Sequence, residues 1–187
     1  MSVHVDSFGQ PPIKTPMPGL RLKRPSPEDA PTLLCLVSST EDPGGWWTHW
    51  AAPPTDDQSA LRLIRALLQP HEHGCGTPLL LDCDGQFVGM INFKGITTGS
   101  RECDLGVWLA PEWQGRGLMT AACRAALDAG FVAFPFQKAV IRTSPGNRRA
   151  AALADRLGFT QVGPRPEDTA IGLPRYEMTA AQWRTRT

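Results

Sequence analysis

The sequence predicts a mixed α/β (α+β) fold with a mostly antiparallel central sheet, on three observations. A strand pattern over "LRLKRP" runs straight into a helix pattern over "SPEDAPTLLCLVSS". The stretch "TPLLLDCDGQFVGMINFKGI" reads as two strands joined at Asp84-Gly85, a two-residue hairpin signal. Beyond residue 110, helix and strand patterns alternate to the end of the chain. At 187 residues the chain is long enough for one well-buried core and short for two. Residues 19–187 are therefore expected to form one domain, preceded by a flexible proline-rich arm over 1–18.

Taken in order, the arm carries four prolines between Pro11 and Pro18, which break regular structure and offer little to bury. The alternation of "LRLKRP" makes a strand. The helix that follows starts with Ser26 as N-cap, Pro27 at its first position and acids in its first turn. A Pro/Gly-rich connection, "EDPGGWWTHWAAPPTDD", leads to "SALRLIRALLQ", where Leu61, Ile64, Leu67 and Leu68 define one helical face. The hairpin strands come next, and "RECDLGVWLA" adds a third strand. "PEWQGRGLMTAACRAALDAGF" then opens a helix through Phe131. "KAVIRTS" is a short buried-type strand, "NRRAAALADRLGF" a helix closed by Gly158, and "RYEMT" a last strand.

Composition narrows the function classes. Nineteen basic residues against 18 acidic give a formal charge of +1, with no run of Lys or Arg, which argues against a nucleic-acid surface. No apolar stretch approaches the roughly 20 residues that span a bilayer, and the N-terminus lacks a basic region followed by an apolar one. The expected location is the cytoplasm, with no membrane partner. Five scattered cysteines, Cys35, Cys75, Cys83, Cys103 and Cys123, suit buried reduced thiols better than a disulfide framework. His71, His73 and Cys75 lie close together, but their spacing matches no closed four-ligand zinc pattern, so no metal site is expected.

The glycines of "QGRGLMT" carry the strongest chemical signal. Gly115 and Gly117 remove the side chains that would hold a ligand off the main chain, just where a helix begins. The first amides of a helix have no internal partner and the macrodipole is positive there, so this turn suits a phosphate. Gly-x-Gly also serves ordinary tight turns. A dinucleotide fingerprint fails, because Thr120 stands at the third glycine position, and a phosphate loop with Gly-Lys-Ser/Thr fails because Leu118 follows Gly117.

In sum, "DLGVWL", "APEWQGRGLMT", "KAVIRTSPGN" and "NRRAAALADRLGF" resemble the GNAT superfamily of acyl-CoA-dependent N-acyltransferases, and within it the RimJ/RimL branch, which acetylates ribosomal-protein N-termini. The superfamily's loop is Q/R-x-x-G-x-G/A, and Gln114, Gly117 and Met119 occupy its defined positions. Met119 departs from the usual small residue, but methionine before threonine is familiar in this branch. Asn147, Gly158 and Phe159 keep the superfamily's Asn-to-Gly-Phe spacing, and "YEMTAAQW" resembles the branch's closing strand. The resemblance spans Leu20 to Trp183. It implies a sheet splayed at an acyl-CoA site, with acetyl-CoA or another acyl-CoA as co-substrate. Amides from Gln114 through Gly115, Arg116, Gly117, Leu118 and Met119 to Thr120 would cradle the pyrophosphate. Main-chain groups of Val107 and Leu109 would pair with the pantetheine arm, and Asn147 would join the cofactor site.

The reaction so implied has a neutral amine attacking the thioester, a main-chain N–H holding the oxyanion, and a thiolate leaving. A terminal α-amine has a pKa of about 7.7–8.0 against about 10.4 for lysine, so α-amine acceptors ask little of a base. Asp104 stands where the branch commonly has Glu in "A-E-I-G-Y", which makes it the candidate proton acceptor; an ordinary strand-surface carboxylate is the alternative. Two usual acids are missing: Ala150 replaces the branch's Ser, and Ala154 stands where many members have Tyr. Ser144 and Tyr176, the only tyrosine, are the candidates to replace them. Trp46, Trp47 and Trp50 would form either an aromatic wall for the acceptor or a plug under the loop.

The expected function is thus acyl transfer to a primary amine, foremost the N-terminal α-amine of a protein or peptide. A small-molecule amine such as an antibiotic is an alternative acceptor. A non-catalytic acyl-CoA sensor that kept the loop and lost the acids is another reading, and a homodimer is open.

Overall fold

A computed structural model of the chain describes residues 12–38, 54–68, 75–96, 101–163 and 173–186. In chain order it contains β1 (Ile13–Lys14), β2 (Leu20–Lys23), α1 (Ala30–Ser38), α2 (Asp57–Leu68), β3 (Cys75–Cys83), β4 (Gln86–Ile96) and β5 (Glu102–Leu109). There follow α3 (Leu118–Ala133), β6 (Lys138–Arg142), α4 (Arg148–Leu157), β7 (Thr160–Val162), β8 (Arg175–Thr179) and α5 (Ala180–Arg184). The strands form one sheet in the order β1-β2-β3-β4-β5-β6-β8-β7. Every pairing is antiparallel except β5 with β6. The expected mixed fold with a mostly antiparallel sheet is what forms.

Local chemistry explains the boundaries. Ser26 N donates to Asp29 Oδ2 at 2.8 Å, a capping interaction that starts a short 3-10 turn over Pro27–Asp29 leading into α1. The β3–β4 hairpin turns at Asp84 (φ 50°) and Gly85 (φ 86°), the paired left-handed residues of a type I′ turn, and Gly85 N donates to Asp82 Oδ1 at 2.8 Å. Asn147 caps α4 by accepting from Ala150 N at 3.1 Å.

The two faces of the sheet are covered by different helices. On one, Leu118, Ala122, Ala126 and Leu127 of α3 and Leu153 and Leu157 of α4 cluster with Ile91, Phe93, Leu105, Ile141 and Tyr176. On the other, Leu33 and Leu36 of α1 and Ala60 and Ile64 of α2 cluster with Leu80, Phe87 and Met90. Of the described cysteines, Cys83, Cys103 and Cys123 are buried and Cys35 is exposed, all as free thiols. No described helix is long and apolar enough to cross a membrane.

Three elements go beyond the sequence expectation: β1, β7 and α5. Strands of two and three residues are too short to show alternation, and the five-residue α5 rests on the reciprocal bonds of Thr179 and Gln182. β1 lies inside the proline-rich segment. It pairs with β2 through Ile13 opposite Leu22 and Lys14 opposite Arg21, while Thr15 Oγ1 sits 2.9 Å from the Leu20 carbonyl oxygen. Residues 1–11 of that segment are outside the described residues.

Candidate active site

The one parallel pairing among the described strands, β5 with β6, creates the opening of the sheet. β5 and β6 run together only from Glu102 opposite Lys138 to Asp104 opposite Val140, and beyond that rung the two strands part. A cavity of about 300 Å³ occupies the fork, lined on β5 by Asp104 to Trp108 and on β6 and the turn after it by Ile141 to Ser144. Asn147 and Ala150 bound it towards α4, and Met90 and Lys94 towards β4. Asp104, Met90 and Lys94 project to the α1/α2 side of the sheet while Leu105, Val107 and Ile141 project to the α3/α4 side, so the cavity is lined from both faces.

Main-chain direction in β5 follows from its ladder. Ala110 N donates to Val88 O at 2.9 Å, and hydrogen-bonded pairs alternate along an antiparallel pair, so Trp108, Gly106 and Asp104 turn their amides to β4. Val107 and Leu109 then turn theirs to the fork, as an arm bound like an extra strand requires. Leu109 O is already engaged: Gln114 Nε2 donates to it at 2.8 Å. Leu109 does not line the cavity, whereas Val107 does.

The glycine loop leads from β5 into α3; none of its residues lines the cavity, and Gln114 ties it to Leu109 on β5 and to Arg149 on α4. A 3-10 turn over Pro111–Trp113 leaves β5, and Gly115 and Gly117 both adopt φ 78°, the left-handed region that favours glycine. Among the described residues, chain neighbours aside, no atom lies within 4 Å of where a Cβ on Gly115 would stand, and on Gly117 a Cβ would meet only Met17 Cε at 3.7 Å, so the loop presents bare backbone. Ala121 N, donating to Gly117 O at 3.1 Å, is the first amide of the 16-residue α3 with an acceptor in its own helix. The amides of Leu118, Met119 and Thr120 precede it and point out of the helix end. Free amides at a positively polarised helix end are the chemistry that a phosphate group takes.

Gln114 has a different job from the one its motif position suggests. Its amide donates to Pro111 O at 3.1 Å, and its side chain joins Leu109 O on β5 to the Arg149 guanidinium on α4. It shapes the loop; the open amides begin after it. Arg116 is held over the Trp113 ring at 5.0 Å and donates to Glu112 O at 2.9 Å, so its charge is fixed beside the loop. Arg156 donates to Thr120 Oγ1 at 3.2 Å. Arg149 and Arg156 bring two cations from α4 to the loop, a contribution sequence reasoning missed. Their spacing of seven residues puts them on one helical face, which was legible once α4 was known to lie beside the loop.

The titratable candidates separate clearly. Asp104 is at the apex of the fork, its side chain 39% exposed, and it forms an ion pair with Arg142. Arg142 and Lys94, both lining the cavity, are the other charged groups the sequence reading overlooked. Burial pushes the Lys94 amine below the usual lysine range, against the opposing pull of Asp104. Ser144 lines the cavity. Tyr176 does not: its ring is buried in the α3/α4 core, with Ile141 opposite it on β6. Cys103, beside Asp104, is buried, and that burial pushes its thiol up, which keeps it protonated. Trp46, Trp47 and Trp50, and His71 and His73, lie outside the described residues.

Asn147 lines the cavity and caps α4 at once. Asn147→Ala is expected to cost about 0.5–2 kcal/mol of stability, the usual price of a lost N-cap, measured by denaturant unfolding. It should also weaken coenzyme A binding, because α4 carries Arg149 and Arg156 to the loop.

Comparison with known proteins agrees with this geometry. Residues 19–160 match the family model described as an acetyltransferase (GNAT) domain. The chain is 28% identical over 163 residues to YdaF of Bacillus subtilis (strain 168), provisionally named a ribosomal N-acetyltransferase, covering 84% of this chain and 89% of that one. It is 30% identical over 84 residues to the spermidine N(1)-acetyltransferase of Escherichia coli (strain K12), 45% of each chain. Its fold is shared by the RimL ribosomal L7/L12 α-N-protein acetyltransferase solved with coenzyme A, at 19% identity and a TM-score of 0.74, covering 92% of this chain and 99% of that one. The chain belongs to the GNAT acetyltransferase family and is an N-acetyltransferase that uses acyl-CoA as its co-substrate.

Proposed function

We propose that the chain acetylates the N-terminal α-amine of a protein or peptide in the cytoplasm. The observation that carries this reading is the likeness to YdaF, which runs through 84% of this chain, whereas the likeness to the spermidine enzyme covers 45%. Charge in the cavity supports it. Among the described residues Lys94 and Arg142 face one carboxylate, Asp104, an arrangement that repels a polyamine and tolerates a peptide end.

In this reading the acyl-CoA lies along the α3/α4 side, with its phosphates on the amides after Gly115 and its pantetheine arm along Val107. The acceptor amine approaches from the α1/α2 side, where Asp104 accepts its proton through water. Arg142 holds one oxygen of Asp104, and an α-amine that is partly neutral near pH 7 asks little of a base. Ser144 lines the cavity and, in this reading, protonates the leaving thiolate.

Release of free thiol from acetyl-CoA, measured across peptides with free N-termini, N-blocked peptides and spermidine, tests the acceptor. Turnover of free-N-terminus peptides alone is expected. Turnover of spermidine with none on peptides would reject the reading. Tyr176→Phe should keep near-normal kcat, because Tyr176 is buried in the core and does not line the fork cavity. Ser144→Ala should lower kcat by about 10²-fold or more if the hydroxyl is the acid. The opposite ranking of these two variants would exchange their roles.

A further inference from the structure

The chain has four lysines, Lys14, Lys23, Lys94 and Lys138. Lys14 is exposed on the edge strand β1. Lys23 pairs with Asp29, and Lys138 pairs with Glu177 at 2.6 Å. Lys94 alone of the four lines the fork cavity, together with Asp104, Gly106 and Ser144. It stands opposite Asp104 in the β4–β5 ladder, on the rung where β5 last pairs with β6. It projects to the α1/α2 side, the side from which an acceptor amine comes. A primary amine is thus built into the half of the cavity that an amine substrate must use.

We propose that Lys94 is a self-acetylation site: when no acceptor is present, acetyl-CoA bound in the fork transfers its acetyl group to Lys94 Nζ. The neutral amine attacks the thioester carbonyl carbon, so that a C–N bond forms and the C–S bond breaks. The amine's extra proton passes to water, and coenzyme A leaves as a thiolate that takes up a proton from water. Burial favours the neutral amine this step needs. Tethering in the cavity supplies the proximity that an acceptor in solution must gain by binding. The product amide would remove a positive charge from the acceptor half and fill part of it.

The proposal rests on the fork being the acyl-CoA site. The test incubates the full-length protein with acetyl-CoA and no acceptor, and maps acetylation of all four lysines by mass spectrometry over time. Lys94 is expected to take up one acetyl group, at a rate that saturates with acetyl-CoA and exceeds that of exposed Lys14 by at least about tenfold. Lys14 labelling should instead rise in proportion to acetyl-CoA. An acceptor peptide should slow the Lys94 reaction, and Lys94→Arg should remove that label and leave the slow one on Lys14. Turnover of an acceptor peptide with Lys94 labelled no faster than Lys14 would overturn self-acetylation and leave the fork assignment standing. Calorimetry that detects no coenzyme A binding, with no amine acetylated, would overturn both.

Discussion

Gly117→Val is expected to abolish coenzyme A binding in calorimetry, a loss of at least about a hundredfold, or about 2.7 kcal/mol. Two effects combine. Gly117 holds φ 78° at the N-cap of α3, a conformation that costs a β-branched residue about 1–3 kcal/mol, so the loop is pushed away from the shape that gathers its amides. The added side chain also enters the space over the helix end, where among the described residues beyond its chain neighbours only Met17 comes within 4 Å. The fold should survive, because Gly117 is exposed and the core of α3 begins with Leu118. A variant with native circular dichroism and unchanged affinity would remove the phosphate assignment from this loop. A variant that fails to fold would be replaced by Gly115→Ala, whose Cβ meets nothing and whose loss of binding would then report backbone conformation alone.

Asp104→Asn carries the second large expectation. The amide keeps the size of the carboxylate and a carbonyl oxygen for Arg142, but cannot take a proton. If Asp104 is the base, kcat falls by about 10²–10⁴-fold at neutral pH while coenzyme A affinity stays near normal. The deficit should then shrink as pH rises and close above about pH 8–9, where a free α-amine is already neutral. A pH–rate series on both proteins separates this from the other role the geometry offers. The ion pair to Arg142 spans the apex of the fork, so a carboxylate that only holds the two strands at their spacing would give a deficit of the same size at every pH. Full activity at neutral pH would assign Asp104 neither role.

The largest pieces of the fold were legible because their signals are local. Asp84-Gly85 dictates a hairpin through the φ values it alone accepts easily, Ser26 announces a helix start through its cap, and Gly115 and Gly117 mark a turn with bare backbone before a helical repeat. Each of these depends on residues a few positions apart. The short β1 and β7 were not legible, because two or three residues carry no period and are held by a neighbouring strand.

For the site the division is sharper. The sequence by itself determined the glycine turn and the strand that carries Asp104, which lie in one continuous stretch, and the family, through motifs spread from Leu20 to Trp183. Tertiary structure alone decided what surrounds them. Arg142 reaches Asp104 across 38 residues, Arg149 reaches Gln114 across 35, and Lys94 enters from a strand before the loop. It also decided that Ser144 borders the cavity while Tyr176 is spent in the core, although both follow the loop in sequence. The reason is geometric: the fork exists because β5 and β6 are parallel and part after three rungs, and strand pairing between distant segments leaves no mark in the residues of either strand.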